Sequence, residues 1–110
     1  MAPIEVRFTI DDRAIGDEIA QDLLDHRLVA CWQRSGPVES HYWWAGQRAA
    51  ADEWHYACKT TDTLLDEVVE AVVARHPYEV PEVIATAFVG GRPEYLRWIV
   101  AETAGHQGSS

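Results

Sequence analysis

Twice along this chain, apolar residues that alternate with polar ones give way to apolar residues that recur every three to four, and each time a strand pattern follows. A chain patterned in this way must lay a helix back on its own sheet twice, which leaves few architectures open. Ile4, Val6 and Phe8 alternate with Glu5, Arg7 and Thr9, predicting a half-buried strand. Ile15, Ile19, Ala20, Leu23 and Leu24 then repeat at helical spacing, with Asp17, Glu18, Gln21, Asp22 and Asp25 opposite. Asp11 and Asp12 offer an N-cap, and His26 and Arg27 place positive charge at the far end. Residues 29–33 form a short apolar stretch that Ser35-Gly36-Pro37 is expected to break. The aromatic run 38–44 reads as a strand, Ala45-Gly46-Gln47 as a turn, and 52–60 as the returning strand of a long hairpin. In that returning strand both faces carry functional groups: Trp54, Tyr56 and Cys58 on one, Glu53, His55 and Lys59 on the other.

The second cycle begins at Thr63, where Asp66 three residues on resembles a capping box. Leu64, Leu65, Val68, Val69, Val72 and Val73 keep helical period, and His76-Pro77 ends it because a residue before proline leaves the α region. Residues 83–89 predict the last strand, Gly90-Gly91 a turn, and Pro93 the first turn of a short helix to about Thr103. Strand, helix, strand, strand, helix, strand is the order of an α+β, ferredoxin-like βαββαβ sandwich, here with a C-terminal helix and a long central hairpin. Residues 1–104 are expected to form this one domain and 105–110 a disordered tail. Helices cover one face of such a sheet. The other face is open and carries hairpin aromatics, which argues for an oligomer.

The fold says nothing about chemistry, so function has to come from the side chains. The net charge of −9 comes with only nine cations, scattered singly, so no basic stripe exists to meet nucleic acid or an anionic membrane. No apolar run reaches the length of a membrane span, and residues 1–9 lack the apolar middle of a signal peptide, so a cytoplasmic protein is expected. Cys31 and Cys58 then read as free thiols, Cys31 as a buried one. The densest segment is His76-Pro77-Tyr78-Glu79-Val80-Pro81-Glu82, where two prolines stiffen a loop bearing an imidazole, a phenol and two carboxylates. His76 is equally a helix-end cation and Pro77 a stop signal. Lys59 is the only lysine against eight arginines, which marks it as a compact donor to an anionic group or a partner for Glu53. The two share a face but lie six residues apart, about 20 Å along one strand, so contact within that strand is excluded. Cys31 offers a soft ligand to copper, zinc or mercury, but no histidine pair has metal-site spacing on a helix, and neither a nucleophile elbow nor a phosphate loop is present.

Taken together, Leu28-Val29-Ala30-Cys31, Ser40-His41-Tyr42-Trp43-Trp44-Ala45-Gly46, Glu53, Lys59-Thr60, the 76–84 run and Tyr95-Leu96-Arg97-Trp98-Ile99 resemble the CutA family of divalent-cation tolerance proteins. The resemblance covers about residues 4–100 in family order. It implies a homotrimer, similar in architecture to the PII signal proteins, with clefts between subunits. It also implies a link to copper tolerance and copper binding, and for animal members to anchoring of acetylcholinesterase, with no agreed catalytic reaction. Carried over residue by residue, the cleft would be lined by Trp44, Glu53, Lys59, His76, Tyr78, Glu82 and Tyr95, and the metal-associated residues would be Cys31 and His76. The chain departs from the family pattern at Trp32-Gln33 after the cysteine, at Phe8 where some members carry a further cysteine, and at Thr9-Ile10-Asp11-Asp12.

Three functions follow from these readings. The first is a trimeric binding or signalling module that holds copper, another divalent metal ion or a small anionic ligand. The second is a purely structural or anchoring trimer. The third is an enzyme using His76, Lys59 and Tyr78, which no nucleophile signature supports. A trimer of chains of −9 each brings −27 together, so its melting temperature should rise as salt screens that repulsion. Thermal melts between about 0.1 and about 1 M NaCl check this, and a steady fall with salt contradicts it.

Overall fold

The computed structural model describes residues 1–105, and the tail expected over 105–110 lies, apart from Gly105, outside the described residues. The elements follow the expected order: β1 (Pro3–Ile10), α1 (Arg13–Asp25), β2 (Cys31–Trp44), β3 (Gln47–Thr61), α2 (Leu65–Arg75), β4 (Val83–Ala87) and α3 (Pro93–Thr103). The four strands form one antiparallel sheet in the order β2-β3-β1-β4, the arrangement of a ferredoxin-like sandwich. Ile4, Val6, Phe8 and Ile10 of β1 pair with Thr60, Cys58, Tyr56 and Trp54 of β3, so these side chains share one face. Ile19, Ala20 and Leu23 of α1 and Val68 and Val72 of α2 are buried against that face. None of the described helices is long and apolar enough to cross a membrane.

Tyr56 organises the core. Its ring stacks on Phe8 with centroids 4.7 Å apart and lies 5.8 Å from that of Trp32. Its hydroxyl donates to the Asp17 carboxylate at 2.7 Å, and Arg34 donates to the same oxygen at 2.7 Å. One side chain of β3 thereby ties α1 to β1 and β2. Gly16 makes this possible, because a Cβ there would lie 2.5 Å from the Tyr56 ring.

Several sequence expectations are corrected. Ser35-Gly36-Pro37 does not end a strand. β2 runs unbroken for 14 residues, with a bulge between Ser35, opposite His55, and Val38, opposite Glu53. Gly36 takes φ +128, and a Cβ there would stand 3.0 Å from the Glu53 carbonyl, so only glycine fits. One extra residue in β2 shifts its parity, as a bulge does. Cys31, Gln33 and Ser35 before it, and Val38, Ser40, Tyr42 and Trp44 after it, therefore all share the face of Glu53 and Lys59. The hairpin is also longer than expected: pairing runs to Trp44 and Gln47, closed by Ala45 and Gly46 at φ 53 and 78, the signature of a type I′ turn. This arm explains a radius of gyration of 14.6 Å, against about 13 Å for a compact domain of this length. The capping box at Thr63 and Asp66 is absent. The Thr63 hydroxyl meets Thr61 at 2.9 Å, and a 3-10 turn over Asp62–Leu64 leads into α2 without a side-chain cap. Asp12 does cap α1, accepting from the Ile15 N–H at 3.1 Å. The last strand stops at Ala87.

Substituting Gly16→Ala should lower stability by roughly 1–3 kcal/mol, because the new methyl overpacks Tyr56 and forces its hydroxyl from Asp17. Urea unfolding of this variant beside Tyr56→Phe measures the effect. A Gly16→Ala midpoint at or above that of the parent would contradict it.

Candidate functional site

The 76–82 loop is held to the sheet by His76. Proline at 77 forces His76 to an extended backbone, φ −72 and ψ 133, and this ends α2. The ring then turns inward. Its Nδ1 accepts the Tyr78 N–H at 3.2 Å, so the proton sits on Nε2, which donates to the Thr9 carbonyl at 2.7 Å. The ring is buried, edge-on to Phe8 and to Tyr78. His76 thus spends both nitrogens on positioning Tyr78 at the end of β1.

Tyr78 in turn donates its hydroxyl to Glu53 Oε2 at 2.7 Å. Burial, the hydrogen bond to Glu53 and the nearby charges of Glu53 and Asp11 push this phenol well above its ordinary pKa. The pair lines a cleft of about 720 Å³ between the hairpin arm and the loop. Tyr42 and Trp44 line it from the arm, Glu79 and Glu82 from the loop. Asp11 lines it too: Asp12 takes the capping role, which leaves the neighbouring carboxylate to the cleft. No lysine or arginine is among the lining residues.

Lys59 and Tyr95 lie elsewhere. Lys59, with its side chain 15% exposed, pairs with Glu5 at 3.5 Å and reaches Gln33 Oε1 at 3.5 Å. Cys31 stands opposite Lys59 in the register, its sulfur 4.0 Å from the Tyr95 hydroxyl. Burial, then the neighbouring Cys31 and Glu5, raise the Tyr95 pKa. Tyr95 stacks on Trp98, with centroids 5.5 Å apart, so α3 lies along this end of the open face. Within the chain the partner of Lys59 is Glu5, directly opposite on β1, and Glu53 stays out of its reach as the spacing along the strand required.

The seven cleft residues thus fall into two groups at opposite ends of one chain: Trp44, Glu53, Tyr78, Glu82 and the positioning His76 at one, Lys59 and Tyr95 at the other. The two metal candidates are also separated. Cys31 sits on the open face, while the His76 ring packs on Phe8 of the helix-covered face. Among the described residues no group of three or more His, Cys, Asp or Glu side chains is placed to hold a metal ion. Cys31, expected to be buried, is half-buried, and Cys58 is the buried thiol, pushed up to about 12 by burial and then by Cys31. Both cysteines are free.

Comparison with known proteins follows this geometry. Residues 4–102 match the family model of the CutA1 divalent ion tolerance protein. The chain belongs to the CutA1 family. It is 37% identical over 100 residues to the rice chloroplastic protein CutA 1, covering 91% of this chain and 56% of the rice one. The CutA1 crystal structure from Oryza sativa superposes with a TM-score of 0.86 at 36% identity, over 91% of this chain and 92% of that one. CutA from Xylella fastidiosa gives a TM-score of 0.89 at 30% identity, over 94% and 99%. The chain spans somewhat more than half the length of the curated plant relatives it matches. Within the CutA1 fold, the signal for Glu5 was present in β1 but silent, because an alternating strand does not say which polar position meets a lysine, and Asp11, just beyond β1, read only as a candidate cap.

The raised phenols set a pH limit. A group whose proton is held more tightly in the fold stabilises fully below its unfolded pKa, about 10 for tyrosine, and that contribution disappears as pH rises past it. The urea midpoint should therefore drop between about pH 8.5 and about pH 11, and the drop should shrink in Tyr78→Phe. An identical drop in both proteins would remove Tyr78 from the account.

Proposed function

We propose that this CutA1 chain acts as a homotrimer, PII-like in arrangement, that serves divalent-metal tolerance by holding a ligand in clefts between subunits rather than by catalysing a reaction. The observation that carries this reading is the division of the family residues into two half-sites on one sheet face. One chain cannot bring them together, whereas a ring that sets the hairpin end of one copy against the Lys59–Tyr95 end of the next can. Two different apolar patches support such a head-to-tail contact, which closes into a ring. Tyr42, Trp43 and Trp44 are exposed on the arm, and Ile84, Val89, Tyr95 and Trp98 are exposed on and around β4 and α3. The long edge strand β2 offers backbone hydrogen bonds to the same contact.

Copper or another divalent ion enters this reading through Cys31. The residue is half-buried on the open face, and its thiol needs further ligands from a neighbouring copy or from water. His76, with both nitrogens engaged, contributes position rather than a metal bond. Two unpaired thiols suit a reducing compartment such as the cytoplasm. A purely structural or anchoring trimer is the second reading, favoured by the in-chain pairing of Lys59 with Glu5.

Native mass spectrometry of protein purified without chelator separates the two readings. Three chains plus a discrete added mass, lost in Glu53→Gln and in Lys59→Met while the trimer persists, is the expected result. A bare trimer whose cleft variants only melt earlier supports the structural reading, and a monomer overturns both.

A further inference from the structure

Lysine chemistry on this chain has a single address. Lys59 is the only lysine, and the other eight cations are arginines, which stay charged and offer no amine lone pair. The Lys59 side chain is only 15% exposed, and its Nζ is held by Glu5 Oε1 and Gln33 Oε1, each at 3.5 Å. The residue sits on β3, an interior strand, with Cys31 opposite on β2 and Glu5 opposite on β1. Its carbonyl accepts the Ala30 N–H at 2.7 Å. The backbone here cannot be drawn out without parting β3 from both neighbours. A second copy seated on this end of the sheet would add cover and remove none.

Acyl transfer to a lysine needs what this setting denies. Nζ must lose a proton to expose its lone pair, and the donor carbonyl must reach that lone pair along an open line. Here Nζ is an ammonium, with donors and no acceptor, and it is paired with a carboxylate. Its approach is flanked by Glu5 and Gln33 on the two adjoining strands. Unfolding removes all of these restraints together, because each is a contact between strands rather than within one.

We propose that Lys59 is a fold-gated modification site, which takes an acyl group from an activated ester or thioester only when the sheet opens. Lysine acylation then marks unfolded copies of this protein and spares folded ones. In the step itself the Nζ–carbon bond forms and the carbon–oxygen or carbon–sulfur bond of the donor breaks, the leaving group departing with that electron pair. Nζ gives up two protons, one before attack and one as the tetrahedral adduct collapses. The inference uses residues of one chain and stands apart from what the clefts bind.

Sulfo-N-hydroxysuccinimidyl acetate on the full-length protein tests it. Hydroxylamine then clears thiol and phenol esters, and mass spectrometry of the intact chain and its peptides locates the amides. The α-amine of Met1, a residue 75% exposed, is the internal reference. Relative to it, Lys59 should react roughly 100-fold or more slowly in native buffer, and at a comparable rate in urea beyond the unfolding midpoint. Gly16→Ala lies on the helix-covered side and touches Tyr56, not Lys59. It should raise the native rate at Lys59 by the factor by which it shifts the unfolding equilibrium. If that variant does not fold, urea below the midpoint gives the same reading on the parent, the rate climbing with the unfolded population. Lys59 acetylated in native buffer as fast as the α-amine overturns the proposal. So does a slow rate that neither urea below the midpoint nor Gly16→Ala changes. A rate that climbs on dilution while circular dichroism stays constant overturns it too, because a neighbouring copy would then be the gate.

Discussion

The open face of this protein depends on one extra residue in β2. Between Ser35 and Val38 the strand gains a residue over its partner, and the parity of every side chain beyond it reverses. Without that shift, Tyr42 and Trp44 would stand on the opposite side of the sheet from Glu53. With it, the 14 residues of β2 present Cys31 and Gln33 beside Lys59 at one end and Tyr42 and Trp44 beside Glu53 at the other. Gly36 bears the constraint, because its backbone is left-handed and the Glu53 carbonyl leaves no room for a Cβ.

The helix-covered face is governed by a different economy. Tyr56 is fully buried, and its hydroxyl is satisfied by Asp17, which Arg34 also holds. Burial pushes the Asp17 carboxyl up, but the Tyr56 and Arg34 hydrogen bonds outweigh it and keep the carboxyl below its ordinary range. The result is a polar triad that fixes α1 across β2 and β3 and leaves the rest of the core apolar. His76 does the same beside it, near the C-terminal end of β1, by satisfying the Thr9 carbonyl and the Tyr78 N–H together. Both devices use a polar side chain to lock packing, and the second also aims a phenol into the cleft. The residue densest in apparent chemistry is therefore the one most committed to structure.

Charge distributes the two ends of the open face into different tasks. At the Lys59 end an ion pair with Glu5 is already complete within the chain. At the Glu53 end the carboxylates accumulate with no lysine or arginine among the lining residues. A single chain thus carries a neutralised half-site and an unbalanced one, an asymmetry that sequence composition averages into the net charge of −9.

The βαββαβ order, the amphipathic faces of α1 and α2, the Asp12 cap and the helix stop at His76-Pro77 were legible in the sequence because each is a local pattern of period or capping. The separation of Glu53 from Lys59 was legible too, since strand rise alone sets it. What the tertiary structure decided is everything that depends on register. Ser35-Gly36-Pro37 looks like a break and is a bulge, because strand pairing with β3 supplies the hydrogen bonds that local propensity denies. Glu5 as the partner of Lys59, Asp11 as a wall of the cleft, and Cys58 rather than Cys31 as the buried thiol all follow from which residue of one strand faces which of another. Period two tells which side chains share a face. Only the pairing of strands tells what they meet there.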